Sequence, residues 1–230
     1  MNGPSGATNV AVERHATGAP ASNSTPPVFL LSPASLSGVR GRRLLEGVGS
    51  TPVMQSLARD GRVPIADVYT SISSLYFRGK LVYARRYARL PHAVGVRVIT
   101  SDRGLCAADE LVGLDDLRRM AGAAIDERAP AYRRVLTESA RELGRQLSDD
   151  CVVILLGSVA TRKYLDPLGE ALGDRLRIPR DFIGLGDMSR GGLLLRAVSE
   201  GRELDYVRPP EREQEAARSG GRRRPRPASR

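Results

Sequence analysis

Histidine is almost missing from this chain: His15 and His92 are the only two in 230 residues. That argues against a His-based triad, a His metal site and a His-x-Glu zinc deaminase motif. Cysteine is equally scarce. Cys106 and Cys151 stand alone, without metal-ligand spacing, and no basic segment leads into a short apolar run at the N-terminus. Neither a disulfide framework nor a structural metal is expected from such a pattern. Tryptophan is absent, and no apolar run approaches the roughly 18 residues of a membrane span. The phosphate-binding patterns GxxxxGK[ST] and GxGxxG are missing too, so no cofactor is expected. These absences together predict a soluble, cytoplasmic protein without metal or cofactor.

Lysine is the last scarce residue. Only Lys80 and Lys163 contribute to the 36 basic side chains; the rest are arginines. The net charge of +10 is unevenly spread, because 208–230 is Arg-rich and ends near Arg222-Arg223-Arg224-Pro225-Arg226. Residues 1–27 are rich in small and polar types without apolar periodicity. Neither end carries enough apolar surface to offset the entropy of ordering, so both are expected to be disordered tails flanking one domain over 28–207. A basic tail either serves solubility or attracts nucleic acid through its phosphates.

Within 28–207 the pattern alternates. Short apolar runs at Val28–Leu31, Val96–Ile99 and Cys151–Leu156, with a weaker one near 175–178, read as strands buried on both faces. Helical spacing separates them, over about 40–59, 75–89, 115–121, 130–147, 158–171 and 190–200, with a last extended piece at 204–207. The expectation is a single α/β domain, a mostly parallel sheet flanked by helices in three layers. Ligands in such sheets gather at the carboxyl ends of the strands. Here those ends are Ser32-Pro33, Thr100 to Gly104, Gly157-Ser158 and the loop at 184–192.

The 184–192 loop reads Gly-Leu-Gly-Asp-Met-Ser-Arg-Gly-Gly and runs into an apolar helix. One reading has Ser189 capping that helix while the amides of Arg190, Gly191 and Gly192 hold an oxyanion or a base carbonyl, with Asp187 as a base. The other has Asp187 and Ser189 as plain caps and the glycines as packing devices. Gly157 and Ser158 form a strand–glycine–helix turn, suited to a phosphate or to close packing. Arg103 sits at a polar tip, where Gly104 is expected to supply a positive-φ turn. Tyr76 and Lys80 belong to a helix that interleaves tyrosines with cations, a pattern of stacking surfaces or of a core edge.

Four blocks also resemble a bacterial α/β family: Leu75-Tyr-Phe-Arg-Gly-Lys-Leu-Val-Tyr-Ala84, Val98-Ile-Thr-Ser-Asp-Arg-Gly-Leu105, Val153-Ile-Leu-Leu-Gly-Ser-Val-Ala160 and Gly184-Leu-Gly-Asp-Met-Ser-Arg-Gly-Gly192. Their order is remotely similar to the uracil-DNA-glycosylase-like domain of archaeosine synthases. The resemblance implies a base- or nucleotide-sized pocket at the strand rim. Related domains carry a cysteine just after the first strand, where this chain has Ser32-Pro33, and the glycosylase histidine motif is missing. The functional expectation is a protein that binds a nucleobase, nucleotide or nucleic-acid end at the rim. The alternatives are a small-molecule transferase or hydrolase using the same pocket, and a nucleic-acid-binding protein acting through its basic tail.

Overall fold

The computed structural model describes residues 26–73 and 75–210, with the side chains of residues 92 and 93 outside that description. Most of both expected tails, and His15, lie outside the described residues. At the domain edges, Cys151 Sγ donates to the Pro26 carbonyl and Arg208 pairs with Asp174, so contacts with the fold extend slightly beyond 28–207.

In chain order the elements are β1 (Val28–Leu31), α1 (Val39–Leu45), α2 (Pro52–Asp60), β2 (Val63–Pro64), α3 (Ile65–Ser73), α4 (Leu75–Tyr87), α5 (His92–Gly95), β3 (Val96–Ile99), β4 (Leu105–Ala107), β5 (Leu111–Val112), α6 (Leu114–Gly122), α7 (Pro130–Gln146), β6 (Val153–Leu156), α8 (Arg162–Leu172), β7 (Leu176–Pro179), α9 (Asp187–Ser199) and β8 (Tyr206–Val207). Six strands form one sheet in the order β4-β3-β1-β6-β7-β8; β2 and β5 pair separately. The four inner strands are parallel, while β4 and β8 close the edges antiparallel. This is the single α/β domain expected from the alternating pattern.

The centre of the sheet explains why the apolar runs are unbroken. Every residue of β1 and β6 is fully buried, and the two strands pair in register from Val28↔Val153 to Leu31↔Leu156. Side chains alternate across a strand, so burial of both sets requires cover on both faces. The pairs α4 with α9 and α7 with α8 pack within themselves. Right-handed crossovers from β1 to β3 and from β6 to β7 run in opposite directions along the sheet, which places these helix pairs on opposite faces.

The same topology fixes a crevice. The chain leaves β1 toward β3 on one side and leaves β6 toward β7 on the other. Adjacent strands whose exits diverge open a gap beyond their carboxyl ends, the usual ligand position in open α/β sheets. Ser32 follows β1 and Gly157 follows β6, so these two residues stand at that gap.

One turn and one helix irregularity place the rim. Gly104 has φ +76°, as its turn requires, and a Cβ there would lie 2.5 Å from Ser139 Cβ. This tight turn makes a β3–β4 hairpin out of what reads in sequence as a polar loop tip. Pro167 lies inside α8 and cannot donate to the Lys163 carbonyl one turn back. That carbonyl is therefore left without the usual intrahelical partner, close to the rim.

Candidate functional site

A cleft with a volume near 430 Å³ opens at the rim. It is walled by Pro33 to Ser37 after β1, Tyr69 of α3, Ser101 after β3, the stretch from Met120 to Ile125 around the end of α6, and Lys163 with Tyr164 at the start of α8. Those positions place it at the carboxyl edge of the parallel strands. Hydroxyls of Ser35, Ser37 and Ser101 and two tyrosines give it a polar, partly aromatic wall, and among the described residues Lys163 is the single formal charge lining it. Its Nζ stands 5.1 Å from the centre of the Tyr164 ring.

Beside this cleft lies a buried polar cluster centred on Lys80. Lys80 is 1% exposed, and its Nζ donates to the Ser32 carbonyl at 2.5 Å and to Ser32 Oγ at 2.8 Å. The ammonium sits over the Tyr76 ring at 4.3 Å and near Phe77 at 5.1 Å. Among the described residues no carboxylate lies within ion-pairing distance of it. Burial pulls its pKa down to about 7; Asp187 acts in the opposite direction and Arg190 reinforces the fall. An amine held this way exists partly neutral at neutral pH.

Tyrosine hydroxyls surround the cluster. Burial raises Tyr76 to about 12, with Arg190 opposing the rise through its charge and a contact to the phenol. Burial likewise raises Tyr164, with Tyr76 and Asp187 adding to the shift, so Tyr164 connects the cleft electrostatically to the buried cluster. Tyr69, edge-on to Phe77 at 5.3 Å, is raised by the same desolvation.

The expected site residues divide between these features and the framework. Tyr76 and Lys80 join the buried cluster. Gly157 stands beside Ser32, where a Cβ would lie 3.1 Å from Ser32 Cβ and 3.3 Å from Ser32 Oγ. Ser158 follows it, half-buried, but does not line the cleft. Arg103 is a framework residue: it reaches Asp116 at 3.0 Å, Glu110 at 3.3 Å and Asp102 at 3.5 Å, tying the β3–β4 hairpin to α6.

The 184–192 loop is arranged differently from the capping reading. The N-cap of α9 is Gly186, not Ser189, and Arg190 N already donates to the Gly186 carbonyl at 3.0 Å. The amides of Arg190, Gly191 and Gly192 are thus inside the helix; the unpaired first-turn amides belong to Asp187, Met188 and Ser189. Arg190 is only 2% exposed, and its guanidinium donates to the Phe182 carbonyl at 3.1 and 3.3 Å and to Asp187 at 3.0 Å. It pins the loop onto the body of the protein. Gly191 is a packing glycine: a Cβ there would meet Tyr76 Cα at 3.0 Å. Gly192 faces open space, and Asp187 and Ser189 are exposed.

Tyr69, Lys163 and Tyr164 are site residues the sequence pattern did not single out, and Ser32 entered it only as part of a strand end. Ser32 is separated from Lys80 by 48 residues, so only its position after the first strand pointed toward it. Among the described residues no group of three or more His, Cys, Asp or Glu side chains is arranged to hold a metal, and no helix is long and apolar enough to cross a membrane.

These features define an α/β domain with a strand-end cleft and a buried serine–lysine contact beside it. No protein family matches the chain. Comparisons with curated proteins and with solved structures likewise find no match.

Proposed function

We propose that the rim cleft binds a nucleobase- or nucleotide-sized ligand carrying a negative charge. The observation that carries this reading is the composition of the cleft wall: Tyr69 and Tyr164, three serine hydroxyls and one cation, Lys163, in a space near 430 Å³. Small-molecule pockets fall at about 300–1,000 Å³, with a few polar groups fixing orientation. A planar ring finds aromatic surface and hydroxyl donors there. A phosphate finds Lys163, which no carboxylate neutralises among the described residues. The location at a divergence of strand connections supports the same reading.

Isothermal titration of the full chain with nucleoside monophosphates and the matching nucleosides tests it. Saturable binding of the monophosphates is expected, weakened about tenfold by Lys163→Ala through loss of one charge-assisted contact. The nucleosides are expected to bind equally well to both proteins. Absence of any saturable binding at millimolar ligand would overturn the reading.

A further inference from the structure

The Ser32–Lys80 contact has a chemistry of its own. A buried lysine normally needs a carboxylate, and this one has none within ion-pairing distance among the described residues. Its partners are one carbonyl and one hydroxyl, both from Ser32. A neutral amine can hold the same pair: one N–H keeps donating to the carbonyl, and the lone pair takes the hydroxyl proton in place of the N–H that Nζ donates to Oγ here. The hydroxyl so engaged is at the crevice between β1 and β6, and the very next residues, Pro33 and Ala34, already belong to the cleft wall. Gly157 keeps a side chain off the hydroxyl, since a Cβ there would lie 3.3 Å from Ser32 Oγ.

We propose that Ser32 is a nucleophile and Lys80 its general base, and that the rim cleft hydrolyses a carboxylic ester of the polar ligand it holds. The identity of that ligand rests on the cleft reading above; the chemistry at Ser32 does not. Ser32 Oγ attacks the ester carbonyl as its proton passes to Lys80 Nζ, forming the C–Oγ bond. The tetrahedral intermediate collapses, the bond to the leaving oxygen breaks, and Lys80 returns the proton to that oxygen to release an alcohol. Water then adds to the acyl-serine, giving its proton to Lys80. Collapse restores Ser32 Oγ, which regains a proton from Lys80, and releases the acid. The net reaction is ester plus water to acid plus alcohol, with no change of oxidation state.

The ionisable groups bearing on Lys80 are Asp187 and Arg190 from α9, of opposite effect, with the phenol of Tyr76 on its own helix and that of Tyr69 from α3 beyond Phe77. Among the described residues Lys80 is the buried cation held against a hydroxyl, so its ionisation governs the serine.

The full chain is treated with phenylmethanesulfonyl fluoride across pH 5.5–9, and adducts are located by intact mass and peptide mapping. The expected result is one sulfonyl group on Ser32, formed at a rate that rises with pH and levels off above the ionisation of Lys80. Lys80→Met is expected to slow labelling by roughly 100-fold or more, the scale of general-base catalysis. Hydrolysis of p-nitrophenyl acetate by the same proteins should fall in parallel, and Ser32→Ala should lose both. A folded wild-type chain that gives no adduct on Ser32 overturns the proposal, as does Lys80→Met labelling at the wild-type rate. If a variant does not fold, the mapped adduct and its pH profile in the wild-type chain decide. Titration of nucleoside monophosphates separately decides the cleft reading, so the two fail independently.

Discussion

Gly79 of α4 and Gly191 of α9 meet backbone to backbone: a Cβ added at Gly79 would lie 2.8 Å from the Gly191 carbonyl oxygen and 3.2 Å from its Cα. The two glycines let the helices approach until main chains touch, and that approach brings Asp187 and Arg190 to bear on Lys80. Gly79→Ala and Gly191→Ala are each expected to destabilise the protein by about 1–3 kcal/mol, because backbone atoms rather than a flexible side chain stand in the way. Gly192→Ala is the contrasting case. Its Cβ meets nothing within 4 Å, so the helix propensity of alanine should stabilise the protein by about 0.5–1 kcal/mol. Chemical denaturation of the three variants checks both the magnitudes and the opposite sign.

Arg190 provides a second test of how the loop before α9 is held. Truncation to alanine removes two bonds to the Phe182 carbonyl and leaves that acceptor short of partners in a buried site. A loss of about 2–4 kcal/mol is expected. Arg190→Lys should recover little of it, because a point-charge ammonium cannot reproduce a planar fork reaching both a carbonyl and Asp187. Asp187→Ala, at an exposed carboxylate, should change stability by less than about 1 kcal/mol. The ranking of melting temperatures, with the arginine variants lowest, is the measurement.

Much of this architecture was legible because the central strands are buried on both faces. Val28–Leu31 and the core of Cys151–Leu156 admit no polar alternation, Val96–Ile99 carries only Arg97, and the helices between them carry stripes of their own. The edge pieces were not legible: β2, β4 and β5 are two or three residues long and owe their form to pairing partners, with the Gly104 turn setting one of them. The site was legible by region but not by residue. Lys80 read as a cation beside tyrosines, whereas its partner Ser32 comes from a strand end that only the sheet brings near. Arg103 read as a rim contact because Glu110 and Asp116, which engage it, lie further along the chain, in the β4–β5 connection and in α6. Ser189 read as a cap because serine favours that position, yet the helix begins earlier, at Gly186, with Asp187 in its first turn where the helix dipole favours a carboxylate.

Asp116 links three parts of the α6 region. Its carboxylate accepts from Gly113 N at 2.8 Å, Arg103 at 3.0 Å and Arg119 at 2.5 Å. The Gly113 amide, followed by Arg103 and Arg119, holds its pKa down to about 2. An acid with a depressed folded-state pKa stabilises the fold above its unfolded value, about 3.9, and that contribution fades as pH falls toward 2. Asp116→Asn should therefore lower the melting temperature at pH 7 and leave the variant closer to wild type near pH 2–3. An equal deficit at every pH would show that Asp116 acts through packing rather than charge.

Lys80 gives the opposite linkage. Its folded-state pKa, about 7, lies below the unfolded value near 10.5, so between those limits the unfolded chain binds more protons than the folded one. Stability carried by this group therefore rises with pH above 7, by at most about 1.4 kcal/mol per pH unit. Cys106, pushed up to about 12 chiefly by burial, works against the trend above pH 9 because its thiol ionises first in the unfolded chain. That effect is common to wild type and variant, so the quantity to read is the difference between wild type and Lys80→Met. The variant also loses both bonds to Ser32, which shifts its absolute stability but not the slope. From pH 7 to 9 wild type should gain on the variant steadily. For a chain of this size the gain amounts to roughly 2–4 °C in melting temperature for each kcal/mol. Parallel curves over that range would mean that Lys80 stays protonated in the fold, and would deny it the lone pair a general base requires.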